Sequence, residues 1–183
     1  MTYDRQWLER EFRAKAKLKF VFFWGHQPSK DGRLTPACFS QWWPSPFKVE
    51  GVTYPTAEHW MMAGKALLFG DDDAAKRIRE AGGPRQVKEL GRQVRGFNEM
   101  RWSAARRDIV TTGNLEKFRQ NPALGSFLQS TGKAVLVEAS PVDRIWGIGL
   151  AADDEHAENP LRWRGENLLG FSLMDVRDSL AGS

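Results

Sequence analysis

The sequence has one cysteine in 183 residues and no apolar run long enough to span a membrane. A single cysteine, Cys38, cannot form an internal disulfide framework, and one thiol is compatible with a reducing compartment. The first residues carry Asp4, Glu9 and Glu11 among basic side chains and lack the composition of a signal or transit peptide. These absences predict a soluble cytoplasmic protein with no membrane partner.

The common cofactor and nucleophile motifs are also missing. The sequence has no Walker A glycine loop, no H-E-x-x-H, no paired C-x-x-C, no G-x-G-x-x-G and no G-x-S-x-G, and its three histidines are scattered. Of these, His59 directly follows a glutamate on a predicted helix, which favours a hydrogen-bonded structural role. Asp71–Asp73 could suggest a metal, but acids at a helix start more often cap the helix. We therefore predict no metal and no cofactor.

The charge balance is mildly basic. Lysine and arginine total 27 against 23 acidic residues, which gives a net charge of +4 and a sequence pI near 9.4. The excess is not gathered in a polybasic tail, so nonspecific nucleic-acid binding is not the default expectation. An anionic small molecule, phosphate above all, is the natural partner.

Tryptophan is unusually abundant. The eight indoles are Trp7, Trp24, Trp42, Trp43, Trp60, Trp102, Trp146 and Trp163. Each could be core or a half-buried surface anchor, yet several near one pocket would stack a flat heterocycle. We predict that Trp24 is among those that bind substrate.

The chain is organised around the segment from Val49 to Leu68. Its sequence predicts a short strand and turn followed by a helix capped by Thr56, with Glu58 in the first turn. Lys65 lies seven residues further on, on roughly the same helix face. Glu58 could act in chemistry or only complement the helix dipole, and Lys65 could bind an anion or only face solvent.

The remaining pattern predicts a mainly helical α+β fold with a small β-sheet, in a single domain. Residues 1–18 are expected to form an N-terminal amphipathic helical extension and residues 19–183 the main domain. Strands are predicted at 19–24 and 133–139, and further helices at 71–81, 84–91, 98–111, 115–128 with a break at Asn121-Pro122, and 165–180. Between them, residues 25–47 form a long, aromatic loop in which 38–43 could make a helical turn, and loops of this length are often functional.

Four sequence blocks follow one another along the chain: Y-P-T-A-E-H-W, F-N-E-M-R-W, D-R-I-W-G-I-G and N-P-L-R-W-R-G-E-N-L-L-G-F-S-L-M-D-V-R. Together they resemble the NADAR superfamily, specifically its YbiA-like N-glycosidases, over about Lys19 to Leu180. The resemblance implies a mainly helical α+β fold and hydrolysis of the bond between ribose and a base-derived amine. Residues 25–47 are the least similar region.

The resemblance also implies site residues. Glu58 matches the catalytic carboxylate, with Trp102 and Asp143 as further catalytic residues. The other pocket residues are Trp146, Asn159, Trp163, Gly165 and Asn167. From the residues alone, Asp143 could equally cap the turn that follows it, and Trp102 could be ordinary core.

The expected chemistry suits these residue types. A carboxylate stabilises the positive charge that builds at the anomeric carbon when a ribosyl C–N bond breaks. Lys65, Arg101 or Arg106 could bind a substrate phosphate, although each arginine could instead lie on a solvated helix face.

Three substrate interpretations stay open at this point. The first is a ribosylaminopyrimidine phosphate of riboflavin biosynthesis. The second is ADP-ribose on a guanine base, in which case nucleic acid enters only as the carrier of the modified base. The third is noncatalytic binding of NAD or ADP-ribose.

Overall fold

The computed structural model describes residues 3–182. Within that range the chain forms seven α-helices and four short strands. The helices are α1 (Arg5–Arg13), α2 (Ala57–Leu68), α3 (Asp72–Arg79), α4 (Pro84–Arg92), α5 (Glu99–Gln120), α6 (Pro122–Ser130) and α7 (Leu168–Ala181). The strands are β1 (Phe20–Phe23), β2 (Phe47–Val49), β3 (Val52–Tyr54) and β4 (Val135–Glu138). The chain divides into two compact units, residues 1–40 with 123–183 and residues 41–122.

The first unit is built on a parallel pair of strands. β1 pairs with β4 in a register that sets Phe20 opposite Val135 and Phe23 opposite Glu138. The β-branched run of β4 is buried, and α7 packs against it through an apolar face that includes Leu169 and Leu173. The prediction of a buried β1 was partly wrong, because only Phe23 is buried while the three residues before it are half-buried.

Helix α1 is tied to this unit by its first residues. Asp4 caps the helix by accepting a hydrogen bond from the Trp7 N–H, and Leu8 is fully buried. The Arg5 guanidinium donates to the carbonyl oxygens of Trp163 at 3.0 Å and Gly165 at 3.1 Å. The predicted amphipathic helix is therefore present, and Arg5 bonds it to the loop at residues 163–165.

The second unit begins with a hairpin that leads into α2. Strands β2 and β3 are antiparallel and joined by Glu50 and Gly51, both at positive φ, which is the backbone that a tight two-residue hairpin loop requires. Thr56 then caps α2 in extended conformation, as predicted.

Close helix packing in this unit depends on two glycines. A side chain at Gly91 of α4 would overlap Met62, and one at Gly113 of α5 would overlap the indole of Trp60. The Trp60 Nε1 donates to the carbonyl of Ile109 at 2.7 Å, which fixes α2 against α5. Asp71 caps α3 and accepts two bonds from Arg95, so the acidic run begins a helix as expected.

The predicted end of the helix at residue 111 was wrong. α5 continues through Thr111, Thr112, Gly113 and Asn114 to Gln120. These residues have low helix propensity, but Gly113 makes room for Trp60, and Asn114 donates to the Val110 carbonyl one turn back. Tertiary packing outweighs propensity here. The break at Asn121-Pro122 is confirmed.

Within residues 3–182, no helix is both long enough and apolar enough to cross a membrane.

Candidate functional site

Glu58 lies at the second position of α2, where the helix N-terminus stabilises negative charge. Glu58 is 3% exposed. The Glu58 N–H donates to the carbonyl oxygen of Gln41 at 2.9 Å, so the loop before β2 satisfies this end of the helix. A carboxylate this deeply buried at the predicted catalytic position is the strongest candidate for chemistry in residues 41–122.

His59, the next residue, is structural. Its Nε2 lies 3.1 Å from the Ala81 carbonyl and therefore carries the proton, while Nδ1 accepts from the Thr56 hydroxyl at 2.8 Å. Burial lowers the pKa of His59, and the bond to Ala81 opposes this effect only in part. The prediction of a hydrogen-bonded structural histidine is confirmed.

Lys65 and Trp102 come together on facing helices. The Lys65 ammonium donates to the Gly91 carbonyl at 2.8 Å and lies 4.4 Å from the ring centre of Phe97 and 5.7 Å from that of Trp102. Burial lowers the pKa of Lys65, and the charge of Glu99 opposes the shift. Lys65 is thus not a solvated surface cation, because its charge sits between aromatic faces that favour it.

The two arginines predicted near the phosphate differ in exposure. Arg101 is exposed at the start of α5, with its guanidinium 5.8 Å from the Phe69 ring. Arg106, one turn beyond Trp102, is 8% exposed, and its Nη1 lies 3.6 Å from Glu99. Arg106 therefore does not lie on a solvated face.

In the other unit, Asp143 organises a tight turn. Its Oδ1 accepts hydrogen bonds from the backbone N–H groups of Ile145 at 2.9 Å and Trp146 at 2.8 Å, and its own N–H donates to Ser140 Oγ. The turn-capping alternative for Asp143 is therefore correct for Oδ1.

Asn167 and Gly165 sit where the loop after β4 crosses the segment that enters α7. Asn167 is fully buried at φ 55°, where its Nδ2 donates to the Leu136 carbonyl at 2.9 Å and its Oδ1 accepts from the Glu138 N–H at 3.0 Å. A side chain at Gly165 would approach the Cα of Arg144 to 2.8 Å. Both residues are needed for the shape of this crossing, whatever else they do.

The remaining predicted pocket residues of this unit are part of the same crossing or precede it in the sequence. Trp163 is buried, and its Nε1 donates to the Ala157 carbonyl at 2.8 Å. Asn159 caps a short 3₁₀ helix (Pro160–Arg162) by accepting from the Leu161 N–H. Trp146 is half-buried, and Trp24, just after β1, is 60% exposed.

Two buried polar residues were missed by the sequence reasoning. Gln41 is 7% exposed and Asn114 is fully buried, and they share a hydrogen bond. Asn114 carried a detectable signal, because a low-propensity amide inside a helix needs a reason. Gln41 carried none, since it lies in a loop rich in proline and tryptophan.

No group of three histidine, cysteine or acidic side chains among residues 3–182 is arranged to hold a metal ion.

The NADAR domain model matches residues 22–181 of this chain. That match covers most of the sequence, and the chain belongs to the NADAR family.

Relatives extend the match. The chain is 46% identical over 165 residues to an N-glycosidase of Acanthamoeba polyphaga mimivirus, covering 87% of this chain and 95% of that protein. It is 32% identical to the N-glycosidase YbiA of Escherichia coli (strain K12), covering 78% and 79%. It is also 32% identical to the riboflavin biosynthesis protein PYRR of Zea mays, covering 72% of this chain but 20% of that longer protein.

The fold comparison agrees. The NMR structure of the E. coli protein YbiA superposes with a TM-score of 0.70 at 28% identity, covering 89% of this chain and 85% of that chain. The predicted YbiA-like α+β fold is confirmed.

Proposed function

We propose that this N-glycosidase hydrolyses the C–N bond between a (phospho)ribosyl group and a nucleobase-like amine, as in the ribosylaminopyrimidine phosphates of riboflavin biosynthesis. Membership of the NADAR family, with relatives named as N-glycosidases in mimivirus and in E. coli, supports hydrolysis of an N-glycosyl bond. The match to a riboflavin biosynthesis protein supports the substrate class. The observation that carries the proposal is the buried Glu58 carboxylate at the start of α2.

The reaction adds water across the ribosyl C–N bond. As this bond breaks, the anomeric carbon becomes cationic and the nitrogen gains electron density. Glu58 stabilises the cation and takes a proton from the attacking water, which becomes the new hydroxyl of the sugar. The amine leaves after receiving a proton, so that one water is consumed for each bond broken.

Asp143 and Trp102 complete the proposed catalytic set. Asp143 passes the proton taken up at Glu58 on to the departing amine, through Oδ2 or through water, because Oδ1 is committed to the turn. The Trp102 face stacks the substrate or stabilises its cationic sugar. Trp24 and Trp146 are exposed enough to offer further indole surface, and Asn159, Trp163, Gly165 and Asn167 are assigned to substrate binding by the family motifs.

The substrate phosphate is assigned to Lys65 and Arg101. Lys65 uses one of its three ammonium protons on Gly91 and keeps the others for an anion. Arg101 offers an exposed guanidinium from the turn of α5 that also carries Trp102.

A second candidate substrate is ADP-ribose linked to a guanine base of nucleic acid. The 60% exposed indole of Trp24, which begins the loop least like the family, and the net charge of +4 favour a larger anionic substrate.

The decisive experiment replaces Glu58 with glutamine. We expect Glu58→Gln to lower kcat by about 10²- to 10⁴-fold, the range for a positioned acid or base, while substrate binding persists. The assay offers a ribosylaminopyrimidine phosphate and ADP-ribosylated DNA in parallel and measures released sugar. The matched control is Asp72→Asn, which neutralises an exposed carboxylate in the first turn of α3 and should keep full activity.

Each outcome separates the alternatives. Loss of turnover with retained binding excludes a noncatalytic NAD or ADP-ribose module. Unchanged turnover in Glu58→Gln removes Glu58 from the mechanism. If wild type releases sugar only from the DNA, the substrate is ADP-ribosyl-guanine, and release from neither contradicts both substrate assignments.

A further inference from the structure

Gln41 and Asn114 form a buried amide pair beside α2. The Asn114 Nδ2 donates to Gln41 Oε1 at 2.8 Å and to the Val110 carbonyl at 2.9 Å. The other two polar atoms of the pair, Gln41 Nε2 and Asn114 Oδ1, are buried and have no hydrogen-bond partner among residues 3–182. One donor and one acceptor are therefore left over.

The orientation of both amides is forced. The Val110 carbonyl can only accept, so Asn114 must present its nitrogen to it. That nitrogen also faces Gln41, which must then present its oxygen. Exchanging O and N in either side chain would set two donors or two acceptors against each other. The unpaired Nε2 and Oδ1 follow from the hydrogen-bond network itself.

The pair is joined through the Gln41 backbone to the residue that carries the proposed catalytic carboxylate. The Gln41 carbonyl accepts from the Glu58 N–H at 2.9 Å, and Trp60 binds the carbonyl of Ile109, one turn before Asn114's neighbour Gly113. Gln41 and Glu58 are 7% and 3% exposed, so both of these bonded residues are buried.

A buried donor or acceptor without a partner costs about 1–3 kcal/mol, so two of them in one pair call for a ligand that supplies both partners. A hydroxyl group does so because it donates and accepts at once. In a ribosyl substrate whose anomeric carbon is at Glu58, the 2′-hydroxyl is on the adjacent carbon and the 3′-hydroxyl follows.

We propose that Gln41 Nε2 and Asn114 Oδ1 bind the 2′- and 3′-hydroxyl groups of the substrate ribose and make the enzyme specific for ribosyl over 2′-deoxyribosyl compounds. This inference rests on the proposed function. Hydrogen bonds to the hydroxyl beside the anomeric carbon strengthen in the transition state of glycoside hydrolysis, so the pair contributes to rate as well as to binding.

The test compares a ribosylaminopyrimidine phosphate with its 2′-deoxyribosyl analogue in wild type, Gln41→Met and Asn114→Ala. We expect each variant to lower kcat/KM for the ribosyl substrate by about 10- to 100-fold and to change it little for the deoxy analogue. The ratio of kcat/KM for the ribosyl substrate to kcat/KM for the deoxy analogue is compared between wild type and each variant. The folded fraction and the intrinsic lability of the deoxy compound therefore cancel.

Asn121→Ala is the matched control. Asn121 directly follows α5, and its Nδ2 donates to the carbonyls of Lys117 and Pro46, so it ties the same helix to the same loop. Its loss should lower stability and leave the ratio unchanged. If Gln41→Met and Asn114→Ala also leave the ratio unchanged, the amide pair is structural and the inference is wrong.

A second measurement separates this inference from the proposed function. Calorimetry with ribose 5-phosphate and 2-deoxyribose 5-phosphate needs no turnover. Tighter binding of the ribose compound, weakened at least tenfold in Gln41→Met or Asn114→Ala, supports the hydroxyl site even if no N-glycoside is hydrolysed. Equal binding of both sugars by wild type overturns it.

Discussion

Two groups of polar side chains, one in each compact unit, are used in different ways. In residues 123–183, Asp143, Asn159 and Asn167 each spend their side chain on backbone groups of their own unit. In residues 41–122, the buried amides of Gln41 and Asn114 keep polar atoms unpaired, and the Gln41 carbonyl accepts from the Glu58 N–H. A motif residue can therefore be part of the family pattern either because it fixes the backbone conformation or because it contacts the substrate. The difference predicts which substitutions cost stability and which cost activity.

The largest stability effect is expected at Asn167. Asn167→Ala leaves the Leu136 carbonyl and the Glu138 N–H without their partner and places alanine, which tolerates positive φ less well than asparagine, at φ 55°, so we expect a loss of about 3–5 kcal/mol in the free energy of unfolding. Asn167→Gly removes the same bonds without the backbone strain and should lose about 1 kcal/mol less.

Urea denaturation of both variants checks this prediction. Asn159→Ala is the matched control, since this half-buried asparagine caps only a short 3₁₀ helix, and it should cost about 1 kcal/mol. If Asn167→Gly were as stable as wild type but inactive, Asn167 would belong with the substrate-binding residues and the contrast between the units would fail.

A smaller effect on stability is expected at Lys65, which has both packing contacts and a proposed role in substrate binding. Lys65→Met keeps the aliphatic stem but removes the bond to Gly91 and the contact with two aromatic faces, so stability should fall by about 1–2 kcal/mol. If Lys65 also binds the substrate phosphate, KM should rise at least about tenfold with little change in kcat, as for loss of uniform binding.

Steady-state kinetics alongside thermal unfolding separates the two roles. Lys88→Met, which removes a lysine 5.9 Å from the Trp42 ring in the same unit, provides the comparison. An unchanged KM in Lys65→Met would assign Lys65 to packing alone.

The smallest effect concerns pH. Because burial holds the pKa of His59 below its ordinary value of about 6.5, the unfolded chain binds a proton at a higher pH than the folded chain does. The contribution of neutral His59 is therefore fully present above pH ~6.5 and is lost as pH falls through the lowered folded pKa, with a slope of at most about 1.4 kcal/mol per pH unit.

The measurement is the free energy of unfolding against pH in wild type and His59→Gln. The slope just below pH ~6.5 should be shallower in the variant. Asp71, whose pKa Arg95 holds well below the usual range, acts in a separate window, since its contribution stays until pH falls below ~4. An equal slope in both proteins would show that His59 does not titrate with folding.

Much of this fold could be predicted because its signals are local. Thr56, Asp71 and Pro84 start helices by chemistry that acts within one turn, and Asn121-Pro122 ends one in the same way. The parallel pairing of β1 with β4 had no such signal, because its partners are more than a hundred residues apart. α5 ran past its predicted end because Trp60 and Gln41, both distant in sequence, stabilise its weak middle turn.

The sequence by itself determined the family, the mainly helical α+β class and the position of Glu58 at the start of a helix, because motif order and capping patterns are written in consecutive residues. Only the tertiary structure decided what the polar residues do. Asn167 binds the backbone of β4, Lys65 lies between aromatic rings, and Gln41 and Asn114 share one hydrogen bond and leave two polar atoms unpaired. These roles depend on partners that only folding brings within 3 Å or so of one another, and no spacing along the chain records them.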